Sequence, residues 1–291
     1  MVSFIPDAMM EVPLGRFFAW LGLALLPVTF SAQGAASAQG ATIAGADIVE
    51  LSPHKAVYDM RLGRVRSGAD VAGAKGTFVM ELVKSCAGWT VKQNVRLRLL
   101  TNEGRRIETD ANFSTFESLD GLSYRYTART IRNGAVTEEI RGNARIDKKG
   151  GAGVANFTSP KGTRFDLPKG AIFPQEHVIH LIRGARLGKR RIFRLVFDGA
   201  TDDGPLEVNA FIFGHLAKAP ARWAKRKLTN RPSWYLRLAF FPAAKSNSMP
   251  DYELGLRLFD NGVADDFELD YGSFTVDAVL KSIEALARPK C

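Results

Sequence analysis

The sequence predicts an all-β fold: a large curled antiparallel sheet of about fourteen strands with one main helix. Apolar and polar residues alternate in one segment after another, which is typical of an antiparallel sheet with one face in water. Only one segment has the helical period, and we expect it to lie against the sheet and fill its concavity, since neither surface is stable bare. Several junctions carry dipeptides that accept the positive φ of tight hairpin turns: Asp120-Gly121, Asn133-Gly134 and Asn261-Gly262.

The first segment of the chain has the composition of an export signal. Residues 1–38 contain Arg16, an apolar run over residues 17–28, and Ala36-Ser37-Ala38, which has the A-x-A form of a cleavage site. The apolar run is too short to span a bilayer as a helix. Two acids among the first eleven residues are unusual in such a signal and leave three start codons open: Met1, Met9 and Met10.

The rest of the chain predicts a single domain. Residues 39–50 are rich in Ala and Gly and are expected to be a flexible segment. Residues 51–291 show no repeat of fixed period and no linker, and a chain of this length buries a sizeable core. We therefore predict a signal peptide over 1–38 and one folded domain over 51–291, exported to the periplasm as a soluble protein.

The chain is basic, with a net charge of +10 at pH 7. Removal of residues 1–38, which hold one Arg and two acids, would raise this charge by one. For an exported protein the matching partners are anionic envelope surfaces, such as lipid headgroups, lipopolysaccharide or acidic glycans, and not nucleic acid. A basic surface that is merely solvated is the other interpretation of the same charge.

The strands before residue 150 alternate most regularly. The first covers Ala56–Leu62, a turn rich in Gly and Arg extends to Gly76, and Thr77–Lys84 and Trp89–Leu100 follow. On the opposite side of each strand the residues are mainly charged, as expected for a sheet with one face in water. The predicted apolar faces consist of Val91, Val95, Leu97 and Leu99; Ile107, Ala111 and Phe113; Leu122, Tyr124, Tyr126 and Ala128; and Val136, Ile140, Ala144 and Ile146.

The helix is predicted within residues 173–188. Pro174 suits a first helical turn, where its missing N–H is tolerated. Gly188, followed by a basic run, indicates the end of the helix. Apolar residues recur at i, i+3, i+4 and i+7, so that one face carries Val178, Leu181, Ile182 and Ala185.

The strands after the helix are more apolar. Residues 191–198 and 205–214 carry apolar side chains on both parities, Ile192 and Phe193 among them, so both faces are predicted to be buried. Residues 215–232 are predicted to be a basic solvated loop, with membrane contact through Trp223 as the alternative. The last strands are predicted over residues 234–241, 252–260, 263–271 and 274–286.

The chain has only two cysteines, Cys86 and Cys291. In an oxidising compartment they are most simply one disulfide. Closing a loop of about 200 residues is worth roughly 5 kcal/mol in the chain-entropy estimate, and it requires the sheet to curl until its end meets its beginning. Free thiols, one of them catalytic, are the alternative, although no Cys-x-x-Cys pattern or adjacent His supports it.

Catalytic motifs are scarce. Ser52-Pro53-His54-Lys55 matches the S-x-x-K box of serine acylation, but the tripeptides that accompany this box are missing. Glu176, His177 and His180 could begin a metal site, yet no further ligand with suitable spacing follows. A histidine on a helix face is more often a packed structural residue. We therefore predict no catalytic residue, no metal ligand and no cofactor, and the ligand-binding residues stay unidentified.

The acidic run over residues 265–270 resembles a carboxylate cluster. Its acids Asp266, Glu268 and Asp270 alternate with apolar residues, which predicts the wet side of one strand. A carboxylate pair for glycoside hydrolysis would have to converge across a cleft, and the sequence alone does not show such convergence.

Several short motifs follow one another in a fixed order: Pro53–Asp59, Cys86-Ala87-Gly88-Trp89, Phe173–His177, Phe197-Asp198-Gly199, Tyr252-Glu253-Leu254, Phe259–Val263 and Leu269–Phe274. In this order they resemble the EipB family of periplasmic cell-envelope integrity proteins. The resemblance covers about residues 51–291. Ala87 departs from the family's usual Cys-Asp-Gly-Trp box, which affects any role of that acid but not the cysteine.

The resemblance implies a β-spiral or open barrel of fourteen strands that is distantly similar to the lipoprotein carriers LolA and LolB. It also implies a disulfide between Cys86 and Cys291 and a role in envelope integrity without known catalysis. We therefore expect a non-enzymatic periplasmic protein that binds a lipid, a lipoprotein or a partner protein on a concave apolar surface. The alternative is a hydrolase that acts on envelope glycans or lipids.

Overall fold

The computed structural model describes residues 48–202, 204–224, 226–243 and 249–291. These residues form fourteen strands and two helices. The strands are β1 His54–Val65, β2 Gly73–Lys84, β3 Gly88–Leu100, β4 Arg106–Ser118, β5 Ser123–Arg132, β6 Ala135–Ile146, β7 Gly153–Ser159, β8 Arg164–Leu167, β9 Arg191–Val196, β10 Leu206–Leu216, β11 Ser233–Pro242, β12 Tyr252–Phe259, β13 Ala264–Asp270 and β14 Phe274–Ala285, and the helices are α1 Pro174–Arg186 and α2 Ala221–Ala224.

All fourteen strands belong to one antiparallel sheet, in the order β8-β7-β6-β5-β4-β3-β2-β1-β14-β13-β12-β11-β10-β9. The chain enters in the middle of this sheet, because β1 pairs with both β2 and the last strand, β14. Two meanders extend outward from there, and α1 connects their outer ends, β8 and β9. The predicted fold class is confirmed: an all-β, open antiparallel sheet of about fourteen strands with one main helix.

The sheet curls, so that strands far apart in its order share one core. Leu82 of β2 and Val91 of β3 belong to the same buried cluster as Val208 of β10 and Leu236 of β11. A flat sheet would hold these strands many strand spacings of almost 5 Å apart. Helix α1 completes the cluster from inside the curl with Leu181, Ile182 and Ala185.

Helix α1 has the predicted limits and nearly the predicted face. Pro174 is its first residue, and Gly188 follows it with a φ of 71°. Val178 is only half-buried at the margin of the core, and His177 is buried in addition to the apolar residues. The buried residues of the helix are His177, Leu181, Ile182, Gly184 and Ala185.

The prediction that β9 and β10 are buried on both faces is wrong. Ile192 and Val196 are buried, but Phe193, Phe211 and Phe213 are about half exposed. The reason is that α1 covers only the inner face of the curled sheet, so the aromatic side chains of the opposite parity point outward. Apolar residues on both parities therefore did not indicate two covered faces in this part of the chain.

The basic segment 215–232 is not simply a solvated loop. Its centre forms α2, and Trp223 is buried against Phe259 with ring centroids 5.6 Å apart. The indole N–H of Trp223 donates a hydrogen bond to the buried carboxylate of Asp265. This burial also removes Trp223 as an anchor for membrane contact, because the ring is only 5% exposed.

The predicted signal peptide, the three start codons and residues 39–47 of the flexible segment lie outside the described residues. Residues 48–50 run along the domain. The carbonyl of Ile48 accepts a hydrogen bond from Arg186 at 2.9 Å, and Glu50 pairs with Arg288 at 2.9 Å. Within the described part of the chain, no helix is long and apolar enough to cross a membrane.

Candidate functional site

A cavity of about 240 Å³ lies on the inner face of the sheet, beside Pro174 at the start of α1. Its wall draws on β1 to β5 and on β12 to β14, which only the curl of the sheet brings together. For comparison, an apolar cavity of roughly 150 Å³ already binds a benzene-sized molecule. Most of the wall is apolar, and its large side chains are Met60, Phe78, Met80, Val95, Phe113, Leu254, Phe267 and Leu269.

Few polar side chains reach this cavity. Gln93 and Thr130 lie on the inner parity of β3 and β5, Asp198 and Tyr252 line another part of the wall, and Asn112 of β4 also belongs to the lining. Asp198 is the only carboxyl group among the described lining residues, which include no Lys, Arg, His or Ser. The described lining residues therefore include no carboxylate pair and none of the Ser, Cys and His side chains on which most hydrolase sites depend.

Asp198 is held at the cavity by the turn that follows β9. Its backbone carbonyl accepts a hydrogen bond from the Tyr124 hydroxyl at 2.7 Å, and its Oδ1 accepts one from the Ala200 N–H at 2.9 Å. Gly199 has a φ of 64°, and a Cβ there would lie 2.4 Å from the ring of Tyr126. Gly199 is therefore required by the backbone turn and by ring packing at this place.

Glu117 is a second buried carboxyl, and sequence reasoning missed it. It lies on β4 and accepts the N–H groups of Gln175 at 2.7 Å and Glu176 at 2.9 Å, which satisfies the first turn of α1. Burial raises the pKa of this carboxyl to about 7, against the lowering effect of the two N–H groups. The alternation of the strand could have revealed this residue, because Glu117 lies on the same side of β4 as Ala111 and Phe113, which were predicted to be on the apolar face.

The residues considered for a metal site do not converge. His177 points into the core, and burial lowers its pKa to about 3. His180 instead lies 3.5 Å from Glu176 and 3.2 Å from a guanidinium nitrogen of Arg194. Among the residues that the structure describes, no group of three or more His, Cys, Asp or Glu side chains is placed to hold a metal ion.

The serine-acylation pattern is not assembled either. Ser52 is buried, and its hydroxyl accepts a hydrogen bond from Asn261 at 3.3 Å. Lys55 points to the outside, where it pairs with Glu81 at 3.0 Å. A lysine that serves as the base would have to contact the serine, so this match of the sequence pattern carries no catalytic function.

The acids of β13 alternate with inward-facing apolar residues, as predicted, but the side that carries them is not fully wet. Asp265 and Asp270 are buried, and Asp266 has a φ of 54° where the pairing of β12 and β13 shifts register. Arg237 donates hydrogen bonds of 2.6 to 3.0 Å to the carboxylates of this strand and its neighbour. These carboxylates, which form an ion-pair network and not a catalytic pair, are Glu253, Glu268 and Asp270.

The structure brings the two cysteines together. The Sγ atoms of Cys86 and Cys291 are 2.11 Å apart, which is bonding distance, and their Cα atoms are 5.6 Å apart. Cys86 lies in the turn between β2 and β3, and Cys291 ends the tail that follows β14. Because β1 lies between β14 and β2, the contact fastens both neighbours of the first strand to each other.

Fold and cavity define the class of protein: one open antiparallel sheet that curls around a single helix and an apolar cavity. The family model described as EipB-like matches residues 45–287, and the chain belongs to this family. The chain is 29% identical over 264 residues to the cell envelope integrity protein EipB of Brucella abortus (strain 2308), which covers 86% of this chain and 93% of that protein.

A solved structure supports the same assignment. The crystal structure of a beta-barrel-like protein of a domain of unknown function from Brucella abortus superposes with a TM-score of 0.75 at 28% sequence identity. The match covers 82% of this chain and all of that chain. The resemblance that the sequence motifs indicated is thus confirmed at the level of the family.

Proposed function

We propose that this protein supports the integrity of the cell envelope as a non-enzymatic periplasmic binding protein. Its cavity would bind the acyl chain of a lipid or a lipoprotein. The observation that carries this proposal is the apolar wall of the cavity on the inner face of the sheet, since concave apolar sites with a few polar groups are typical of ligand sites. The name of the Brucella relative, a cell envelope integrity protein, supports the envelope role.

A hydrolase is the weaker alternative. Asp198 is the single carboxyl of the cavity, and Glu117 is engaged by the helix N–H groups and does not belong to the described lining. The acids of β13 are held by Arg237. Binding therefore uses the features that the cavity has, whereas hydrolysis would require a second catalytic group.

The proposal is tested with a neutral apolar fluorophore, N-phenyl-1-naphthylamine, and the purified folded protein. The cavity-lining Ala111 is replaced by Phe, and the exposed Ala135 receives the same substitution as a control. We expect saturable binding to the wild type and a loss of about tenfold in affinity, or ~1.4 kcal/mol, in Ala111→Phe, because the ring occupies the space of the ligand. Ala135→Phe should bind like the wild type.

Thermal melts establish that both variants are folded. Absence of fluorophore binding by the wild type, or equal binding by Ala111→Phe, would contradict an acyl-chain site in this cavity. In a strain that lacks the protein, Ala111→Phe should also fail to restore resistance to detergent, while Ala135→Phe restores it. Full rescue by Ala111→Phe would favour a partner protein on another surface.

A further inference from the structure

Only one of the two carboxylate oxygens of Asp198 has a hydrogen-bond partner among the described residues. Its Oδ1 accepts the Ala200 N–H at 2.9 Å, but its Oδ2 is buried and has no hydrogen-bond partner among the described residues. The side chain is 5% exposed and lines the cavity. Native structures leave few buried polar atoms without a partner, and each such atom requires an explanation.

No cation balances this carboxyl within the cavity. The described lining contains no Lys, Arg or His, and the polar neighbours of Asp198 include the neutral Ala200 N–H and the hydroxyls of Tyr124 and Tyr252. A buried carboxylate oxygen in this setting accepts hydrogen bonds from a donor and repels a second anion. Most of the remaining wall is apolar and suits a hydrocarbon chain, so one amphiphile could satisfy both parts.

We propose that Asp198 selects the ligand: the cavity takes a single-chain amphiphile whose polar end donates hydrogen bonds and excludes a free fatty-acid carboxylate. The donor is a hydroxyl, an amide or an ammonium group, and it provides Oδ2 of Asp198 with its missing partner. This inference rests on the proposed function, because it assigns the headgroup chemistry of the acyl-chain ligand. It adds a specificity-determining residue to a cavity whose wall is mostly apolar.

The test is displacement of N-phenyl-1-naphthylamine at pH 8 by three competitors with the same dodecyl-length chain: laurate, monolauroylglycerol and dodecylamine, each below its micelle concentration. Burial raises the pKa of Asp198 to about 6, so at pH 8 the group is ionised. The glycerol ester and the amine should displace the fluorophore at concentrations about tenfold lower than laurate, because like charges repel in a poorly solvated site.

Asp198→Asn should reverse the preference for the ester and the amine over laurate. The new amide can donate to a carboxylate, so laurate should bind more tightly to the variant than to the wild type, and dodecylamine should lose affinity. The exposed Asp202, four residues further along the chain, provides the control variant Asp202→Asn, which should keep the wild-type order. If Asp198→Asn does not fold, the wild-type series decides by itself.

The outcomes separate this inference from the proposal on which it rests. If the wild type binds neither the fluorophore nor any competitor, the acyl-chain site is wrong, and the role of Asp198 is wrong with it. If all three competitors bind equally well to the wild type, or laurate binds best, the site stands and the selection by Asp198 is overturned. A preference that survives unchanged in folded Asp198→Asn overturns it as well.

Discussion

Glu117 and Asp198 show how burial on the inner face changes single carboxyl groups. Desolvation raises the pKa of Glu117 to about 7 and that of Asp198 to about 6. Such groups bind more protons in the folded protein than in the unfolded chain over the interval between the two pKa values. Their contribution to stability is therefore complete at low pH and is lost as the pH rises through that interval.

Glu117→Gln should flatten the pH dependence of stability. The ordinary pKa of this group is 4.5, so the wild type loses stability between about pH 4.5 and pH 7, and the variant, which cannot titrate there, lacks this loss. We expect the stability of the variant relative to the wild type to improve by on the order of 2 kcal/mol from pH 4.5 to pH 7.5. Urea unfolding at a series of pH values measures this difference.

Glu103→Gln, on the exposed turn after β3, is the control and should leave the pH profile unchanged. Asp198 also makes the protein less stable as the pH rises. His177, whose pKa is lowered to about 3, makes it more stable as the pH rises from 3 to 6.5. These two groups act alike in the wild type and in both variants. Parallel profiles for the wild type and Glu117→Gln would contradict the assigned burial effect.

For a single residue, the sequence indicates on which face of a strand the side chain lies, but not which groups it contacts there. Parity alone places Glu117 on the inner side of β4, next to residues that were correctly assigned to the apolar face. What it meets there depends on where α1 crosses the sheet, and no local pattern encodes that crossing. His177 is a similar case, since the helical period identified its apolar neighbours but did not show how wide the covered face is.

Among the elements, β11, β12 and β13 are joined on the outer side by a network that centres on Arg237. Its guanidinium contacts Glu253, Glu268 and Asp270, and Arg64 of β1 adds further contacts to the last two at 2.9 and 3.2 Å. Removal of Arg237 would leave partly buried carboxylates close together without their main cation. The loss of one partner from such a network is more harmful than the absence of the whole network.

Arg237→Met should therefore destabilise the protein by about 2 to 4 kcal/mol, because the partners are only partly exposed. Arg98→Met is the matched control. Arg98 pairs with Glu108 at 2.8 Å across β3 and β4, but both side chains are more than half exposed, so the loss should stay below about 1 kcal/mol. Chemical denaturation of both variants measures the two values, and equal losses would contradict the role of the network.

The strands and hairpins were largely predictable, and the main departure depends on residues that are far apart in the chain. Alternation and the Asn-Gly and Asp-Gly turns indicated the strands of the first meander, and Asn133 does adopt a positive φ of 49°. Glu268 and Asp270 of β13 do lie on its outer side, as the alternation predicted, but that side is only partly wet because arginines from β1 and β11 cover it. This cover depends on strands that are far apart in the chain.

At the level of the whole molecule, the sequence predicted a curled sheet but not its topology. The two cysteines indicated that the end of the chain meets its beginning, and β14 does pair with β1. The sheet is nevertheless not closed there: its open ends are β8 and β9, with α1 between them. The cavity could not be predicted, because its wall combines eight strands whose mutual positions depend on this pairing.

The pairing of β14 with β1 makes the link between Cys86 and Cys291 a prediction about the whole fold. The two residues are separated by 205 positions, so a disulfide would remove a large loop entropy from the unfolded chain, roughly 5 kcal/mol in the entropy model and less where the unfolded chain retains structure. Native pairing next to the bond keeps the tail in place, since the Leu286 N–H donates to the Pro53 carbonyl at 3.0 Å. The variants should therefore be folded but less stable.

Cys86→Ser and Cys291→Ser should lower the melting temperature by similar amounts, because either substitution removes the same bond. The double variant should lose no more than one single variant, as expected for coupled positions. Reductant should bring the wild type down to the level of the variants and leave the variants unchanged. Additive losses in the double variant, or labelling of both thiols in the native oxidised protein, would show that the two cysteines act independently and that no bond joins the end of the sheet to its beginning.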